Sequence, residues 1–141
     1  FRHSSYTIHP AVRRLTPQDF PKARELYQRN SEYGNFDRDQ FNNGIYFGVQ
    51  EGSDLVSMAG TTVLCMDYRS ATIGNVITDA SYRNRGYATS ELILLCKEIL
   101  EEAYDCVCIK ANRGNMASVS LYRRLGFVKK SEYFEGIGIR K

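Results

Sequence analysis

The chain has 141 residues, of which 43% are hydrophobic and 25% are charged, and this composition is typical of one globular domain spanning residues 1–141. Its net charge of +3 arises from 19 basic and 16 acidic residues, and so weak an excess does not indicate a nucleic-acid-binding surface. No apolar run is long enough to cross a membrane and no secretory signal pattern is seen, so we expect no membrane association.

The start of the chain and its cysteines suggest where the protein works. The chain begins at Phe1, so we expect it to be processed, trimmed or cut from a longer protein. Cysteines without a spaced framework favour a reducing, cytoplasmic compartment and burial in the core. We expect no metal site, because the two histidines lie at the far end of the chain. The cysteines are Cys65, Cys96, Cys106 and Cys108, and the histidines are His3 and His9.

The first half of the chain predicts a short strand, two helices and an antiparallel meander. Thr16 is a helix N-cap with Pro17 at the first helical position and Asp19 three residues after the cap, while Asp37 is the cap of a second helix. The predicted elements are a strand at 11–15, a helix from Thr16 with an inward stripe of Phe20, Ala23, Leu26 and Tyr27, a helix at 38–42, and strands at 45–50, 55–64 and 72–78.

The second half predicts a long amphipathic helix, a parallel crossover and a closing pair of strands. The inward face of the helix is Ala88, Leu92, Leu95, Cys96, Ile99 and Ala103, and its solvent face is Glu91, Lys97, Glu98, Glu101 and Glu102. A strand at 106–111 follows, which implies a right-handed crossover and places Cys106 and Cys108 on one face. A helix at 116–125 has Asn115 as its cap and Gly126 as its stop, and strands at 127–130 and 133–139 close an α+β fold.

The stretch from Asn75 to Thr89 predicts an anion-binding loop. An apolar strand leads into a basic loop with Arg83, Arg85 and Gly86, and the loop opens the long helix. Backbone N–H groups converge at such a helix start, and the helix dipole favours negative charge there. Taken alone, the loop motif is more typical of an ordinary loop with solvated charges, so a second motif is needed.

Two motifs together resemble the GNAT superfamily of acyl-CoA-dependent N-acyltransferases. The run Arg83-Asn84-Arg85-Gly86-Tyr87-Ala88 matches the Arg/Gln-x-x-Gly-x-Gly/Ala loop of that family. Residues 115–127 match its Asn-x-x-Ala-x-x-Leu-Tyr-x-x-x-Gly-Phe signature, with Ser118 in place of an alanine. The chain is also loosely similar to the glycine N-acyltransferase-like branch. The resemblance implies a mixed, mostly antiparallel, splayed sheet with the element order β-α-α-β-β-β-α-β-α-β-β.

The resemblance also implies a co-substrate and the residues that bind it. Acetyl-CoA or CoA would bind without a metal, with its pyrophosphate on the backbone of residues 83–89 and its pantetheine arm along the preceding strand. Tyr122 would be the general acid that protonates the departing thiolate. The implied co-substrate-binding residues are Val76, Ile77, Thr78, Arg83, Asn84, Arg85, Gly86, Tyr87, Ala88, Thr89, Asn115, Ser118 and Tyr122.

The expected function is transfer of an acetyl or other small acyl group from acyl-CoA to a small-molecule or peptide amine, by direct attack in a ternary complex. The alternatives are a GNAT-like module that binds CoA without catalysis, and an ATP-binding loop, although the Gly-Lys-Ser/Thr run of a P-loop is missing. The protein is expected to be a monomer or a homodimer.

The sequence identifies neither the general base nor the acceptor. Asn75 cannot hold a proton, and Asp79 is expected to cap or solvate the loop rather than to act in catalysis. The acceptor would contact residues 30–45 and 130–136. Aromatic side chains there could form an apolar wall, but core and rim packing is the favoured interpretation. These aromatic residues are Phe36, Phe41, Tyr46, Tyr133 and Phe134.

Overall fold

A computed structural model of the protein describes residues 6–31 and 34–135. Within them, five strands form one sheet in the order β1-β2-β3-β4-β5, and four α-helices accompany it. The strands are β1 (Val12–Arg14), β2 (Tyr46–Glu51), β3 (Asp54–Cys65), β4 (Ser70–Thr78) and β5 (Cys106–Ile109). The helices are α1 (Phe20–Asn30), α2 (Arg38–Asn43), α3 (Tyr87–Glu101) and α4 (Met116–Arg124), and short 3-10 turns cover Pro17–Asp19 and Ala80–Tyr82. Among the helices so described, none has both the length and the apolar character needed to cross a bilayer.

The predicted helix starts are confirmed by their hydrogen bonds. The Asp19 carboxylate accepts the N–H of Thr16 at 2.8 Å, so the first turn is held as expected, although it is a 3-10 turn that leads into α1. The Asp37 carboxylate accepts the N–H of Gln40 at 2.7 Å and caps α2. These short polar side chains satisfy N–H groups that have no partner inside the helix.

Strands β1 to β4 form an antiparallel meander, and β5 joins β4 in parallel after the α3 crossover. Alternate side chains of β2 face opposite sides of the sheet. Tyr46 packs with the buried residues of α1 and α2, whereas Phe47 packs with those of α3. The sheet therefore separates a core under α1 and α2 from a core under α3.

The predicted closing strands are not found over the part of residues 127–139 that the structure describes. Residues 127–130 and 133–135 have no regular secondary structure, and residues 136–139 lie outside the described residues. The Phe127 N–H donates to the Tyr122 carbonyl at 3.0 Å and the Gly126 N–H to that of Arg123, also at 3.0 Å. With Gly126 at φ 98°, these bonds form a Schellman cap that ends α4, as the glycine predicted. The Phe127 N–H thus serves the helix end rather than a strand ladder.

Two predictions of burial are wrong. Cys106 and Cys108 are exposed on β5 rather than buried, although they share a face as expected, with their Sγ atoms 3.8 Å apart. Glu91, assigned to the solvent face of α3, is 0% exposed. Because α3 packs against several strands at once, its buried arc is wider than the apolar stripe and includes this carboxylate.

The aromatic residues near the expected acceptor region behave differently from one another. Phe36, Phe41 and Tyr46 are buried in one core cluster, which confirms the packing interpretation for these three. Tyr133 and Phe134 are exposed. They therefore do not belong to the core that the described residues form.

Candidate active site

The site begins where β4 and β5 separate. The two strands pair in parallel from Ser70 opposite Cys106 to Ile73 opposite Ile109, and the pairing stops there. Strand β4 continues to Thr78, and over that part β3 is its only partner among residues 6–31 and 34–135. One edge of β4 is therefore open beyond Ile73, as the family resemblance implies for a splayed sheet.

A β-bulge marks the point of separation. Met58 pairs with Ile77 and Gly60 with Gly74, so two residues of β4, Asn75 and Val76, face one residue of β3. Asn75 has a φ of 51°, a left-handed conformation that asparagine tolerates better than most residues. Its Nδ2 donates to the hydroxyl of Tyr46 at 3.1 Å. The bulge thus turns Asn75 toward a buried tyrosine of the neighbouring core.

A cavity of about 170 Å³ fills the space between the separated strands. It brings together four residues that the sequence assigned to the site, namely Val76, Asn115, Ser118 and Tyr122. The other lining residues are Gly74 and Asn75 from β4, and Ile109, Lys110, Ala111 and Asn112 from β5 and the following loop. Asn75 is the only polar side chain that β4 contributes to this lining.

Helix α4 positions Tyr122 at the cavity. The Asn115 side chain accepts the N–H of Ser118 at 3.1 Å and caps the helix, which fixes the first turn beside the cavity. Tyr122 is only 7% exposed. Burial raises the pKa of its hydroxyl, while the hydroxyl of Ser118 lowers it in part. Tyr122 is therefore protonated at neutral pH and is able to donate a proton.

The anion loop lies at the far end of β4, directly after Thr78. Gly86 has a φ of 81° and occupies the N-cap position of α3, where it provides no side chain to the helix end. The first bond within α3 runs from the Ser90 N–H to the Gly86 carbonyl at 3.1 Å. The N–H groups of residues 87–89 therefore have no acceptor within the helix and suit an external anion. A Cβ at Gly86 would meet nothing within 4 Å, so the space in front of these N–H groups is open to an anion.

The side chains of the loop serve mainly to hold its shape. Arg83 Nε donates to the Thr78 carbonyl at 3.1 Å, and the Arg85 guanidinium lies 4.8 Å from the ring centre of Tyr82. Both arginines and Asn84 are exposed, and Asn84 has a φ of 61°. Tyr87 is instead buried, and its hydroxyl donates to Glu51 at 2.9 Å. Only the backbone of Tyr87 faces the anion position that the helix start defines.

The end of β4 offers a backbone donor on its open edge. The Asp79 N–H donates to the Val56 carbonyl of β3 at 2.8 Å. Because N–H groups alternate along a strand, the N–H of Thr78 points away from β3 and toward the side that β5 has left. The side chain of Ile77 packs against the core under α1 and α2, and by the same alternation its N–H faces β3 rather than the open edge.

Asp79 is engaged with α1 rather than directed at the cavity. Its carboxylate accepts from Arg29 at 2.8 Å and from Asn30 at 2.7 Å. Partial burial raises the pKa of this carboxyl, but the bonds from Arg29 and Asn30 outweigh that effect and the pKa is lowered. A carboxylate of lowered pKa is a weak base, which agrees with the expectation that Asp79 does not act in catalysis. Its side chain makes no cap bond at the turn that follows, so it holds α1 rather than capping the loop as expected.

Sequence reasoning missed three features around the site. It did not identify the bond between Tyr46 and Asn75, which joins positions 29 residues apart. It did not place Lys110 on the cavity wall, and it assigned the buried Glu91 to solvent. No local pattern signals any of them, because each depends on contacts between distant elements. Over residues 6–31 and 34–135 there is no cluster of three or more metal-ligating side chains.

Solved structures of similar fold are numerous. A GNAT-family protein from Novosphingobium aromaticivorans has a TM-score of 0.74 at 22% identity, covering 90% of this chain and 55% of that one. Glucosamine-6-phosphate N-acetyltransferase from Arabidopsis thaliana has a TM-score of 0.69 at 14% identity, with 89% and 96% covered. A Clostridium acetobutylicum protein solved with acetyl-CoA has a TM-score of 0.68 at 20% identity, with 89% and 94% covered. This chain thus spans about half the length of the Novosphingobium protein.

Comparison by sequence identifies the family. A search of curated proteins finds no match. The model of the acetyltransferase (GNAT) family, by contrast, matches residues 9–127, which include the anion loop, β5 and α4. The chain therefore belongs to the acetyltransferase (GNAT) family.

Proposed function

We propose that the chain is an N-acyltransferase that moves an acetyl or other small acyl group from acyl-CoA to an amine. The observation that carries this proposal is the cavity at the separated ends of β4 and β5, where Tyr122 meets the open strand edge. The reaction needs a proton donor near a departing sulfur, and a buried, protonated tyrosine is suited to that task.

The acyl-CoA co-substrate is assigned to the open edge of β4. Its pyrophosphate would bind the N–H groups at the start of α3, and its pantetheine arm would pair with the backbone of Val76, Ile77 and Thr78. The uncapped helix start and the outward-facing N–H of Thr78 fit these groups. The Clostridium protein of similar fold was solved with acetyl-CoA, which supports the same ligand here.

In the proposed reaction, the neutral amine attacks the thioester carbon, a C–N bond forms and the C–S bond breaks. The Thr78 N–H stabilises the negative charge on the carbonyl oxygen, because it is a backbone donor on the open strand edge. Tyr122 gives its proton to the departing thiolate, and the proton that the amine nitrogen loses to water restores the tyrosine hydroxyl. No covalent enzyme intermediate is needed, so both substrates are bound together when the group is transferred.

The amine reaches the site as the free base or loses its proton to water. Asp79 is held by Arg29 and Asn30, and the described lining of the cavity contains no carboxylate. Asn75 can orient a water molecule without taking up its proton. Small-molecule and peptide amines are both included as acceptors. The Arabidopsis protein of similar fold is a glucosamine-6-phosphate N-acetyltransferase, which supports the choice of an amine nucleophile.

The test is release of free thiol from acetyl-CoA in the presence of a panel of small-molecule and peptide amines. We expect release that depends on the amine and that falls about 10²-fold or more in the Tyr122→Phe variant, since a general acid contributes that much. Tyr104→Phe is the matched control, because Tyr104 is also 7% exposed and packs in the same core, but it does not line the cavity. Binding of CoA without thiol release for any amine would favour the alternative, a CoA-binding module without catalysis.

A further inference from the structure

Glu91 is a fully buried acid that the proposed reaction does not use. Its side chain is 0% exposed, and neither carboxylate oxygen has a hydrogen-bond partner among the described residues. Burial raises the pKa of this carboxyl to about 8, and the Ser57 hydroxyl opposes that change only in part. An ionised carboxylate without a partner is very costly in a protein interior, so the neutral acid predominates at neutral pH.

The position of Glu91 connects it to the anion loop. It lies in the second turn of α3, close behind the uncapped N-terminus. Its neighbour Ser57 has its Oγ 2.9 Å from the Oγ1 of Thr78. Thr78 is the last residue of β4, and its carbonyl accepts from Arg83 of the loop. Glu91 therefore lies on the inner side of the point where β4 leads into the anion loop.

We propose that Glu91 is a positioning residue whose carboxyl group carries a proton whenever the pyrophosphate of acyl-CoA occupies the loop, so that binding takes up a proton at any pH where Glu91 is ionised in the free protein. This inference rests on the proposed co-substrate. An ionised Glu91 would repel the anion at the start of the same helix across a medium of low dielectric constant. The neutral acid removes the repulsion and leaves the bond between Ser57 and Thr78, at the end of β4, in place.

The other ionisable groups on the elements around Glu91 have partners of their own. Strand β4 has no ionisable side chain. The charged groups and their partners are Glu51 on β2 with Tyr87, His9 before β1 with the Ala11 N–H, Arg13 and Arg14 on β1 with Asp19 and Glu98, Asp54 on β3 near Arg29, Lys97 on α3 with Glu101, Asp79 after β4 with Arg29, and Arg83 in the loop with the Thr78 carbonyl. Each is retained in a Glu91→Gln variant, so the difference between the two proteins isolates Glu91.

The experiment is isothermal titration calorimetry of CoA binding at pH 8, repeated in two buffers with different ionisation enthalpies. The wild type should take up about half a proton more per CoA than Glu91→Gln, because a group of pKa about 8 is half protonated in the free protein. Protons gained or lost by CoA itself are common to both proteins and cancel. Glu98→Gln, on the same helix but paired with Arg14 at 3.0 Å, should behave as the wild type.

The affinity for CoA should show the same linkage. Between pH 8 and 9 the wild type should lose about fivefold in affinity relative to Glu91→Gln, since the protonated fraction falls by that factor. Equal proton uptake by the wild type and Glu91→Gln would overturn the inference. If Glu91→Gln does not fold, Glu91→Met has the same expected result, because it also lacks the titrating group. Failure of every variant to bind CoA would overturn the proposed co-substrate itself, which is a different result from binding without this linkage.

Discussion

Replacing Glu91 by glutamine should make the protein more stable, and increasingly so as the pH rises. Glu91 is 0% exposed and its carboxylate oxygens have no described partner. Its pKa is raised from 4.5 to about 8 by burial. Between these two values the folded protein keeps a proton that the unfolded chain releases, so the wild type loses stability as the pH rises. Glutamine has no such proton, and the variant lacks this pH dependence.

The size of the effect follows from the difference of one bound proton. The free energy of unfolding of the wild type should fall relative to Glu91→Gln by about 1.4 kcal/mol per pH unit inside this window. Between pH 5.5 and 7.5 the difference should grow by about 2.5 kcal/mol. Urea denaturation of both proteins at several pH values measures it, and all other titrating groups cancel because the two proteins share them.

The control for this prediction is Glu98→Gln. Glu98 lies on the same helix and is partly exposed, and its substitution keeps the buried Glu91 in place, so the pH profile of stability should stay close to that of the wild type. Parallel profiles for the wild type and Glu91→Gln would show that Glu91 titrates as an ordinary acid. That result would refute the assignment of a buried, protonated carboxyl to α3.

Two further substitutions test the support of the site, both by urea denaturation. Gly60→Ala should lower the free energy of unfolding by about 1–3 kcal/mol, because its Cβ would lie 2.1 Å from ring atoms of Tyr46 and must displace that ring. Gly114→Ala is the control and should be near neutral, because its Cβ has room. Equal effects of the two substitutions would contradict the packing argument. Asn115→Ala should lower the free energy of unfolding by about 1 kcal/mol, because it removes the side-chain cap of α4. Asn115→Asp should keep the cap and the stability, and an unstable aspartate variant would count against the cap.

Much of the site could be predicted because its parts are local in sequence. Helix caps, a glycine of positive φ and the apolar period of α3 each involve residues within a few positions of one another. The anion loop and Gly86 at its helix start follow from such signals, as do the Asn115 cap and the Gly126 stop of α4. The family motifs then relate the loop to Tyr122, which lies far away in sequence.

The missed features depend on contacts that no local pattern contains. The bulge at Asn75 arises from the register between β3 and β4, and the bond of Asn75 to Tyr46 crosses the sheet. Glu91 has the polarity of a surface residue, but α3 is covered on more of its circumference than its apolar stripe shows.

The prediction of two closing strands failed for a related reason. The alternating apolar residues after Gly126 predict strands, but a strand also needs a partner edge and a face to bury. Instead, Lys110 bonds to Glu135 at 2.8 Å and Lys129 bonds to Glu132, while Tyr133 and Phe134 remain exposed. Side-chain contacts thus replace the expected ladder over the described part of this segment.

The central claim, acyl transfer from acyl-CoA to an amine at the β4–β5 cavity, is tested most directly by measuring both products of one incubation. Mass spectrometry would quantify the N-acetylated amine while a thiol reagent quantifies free CoA. We expect one CoA released for each amide formed, with both products dependent on the amine and strongly reduced in Tyr122→Phe. Thermal stabilisation by acetyl-CoA without any amide product across the amine panel would contradict the account.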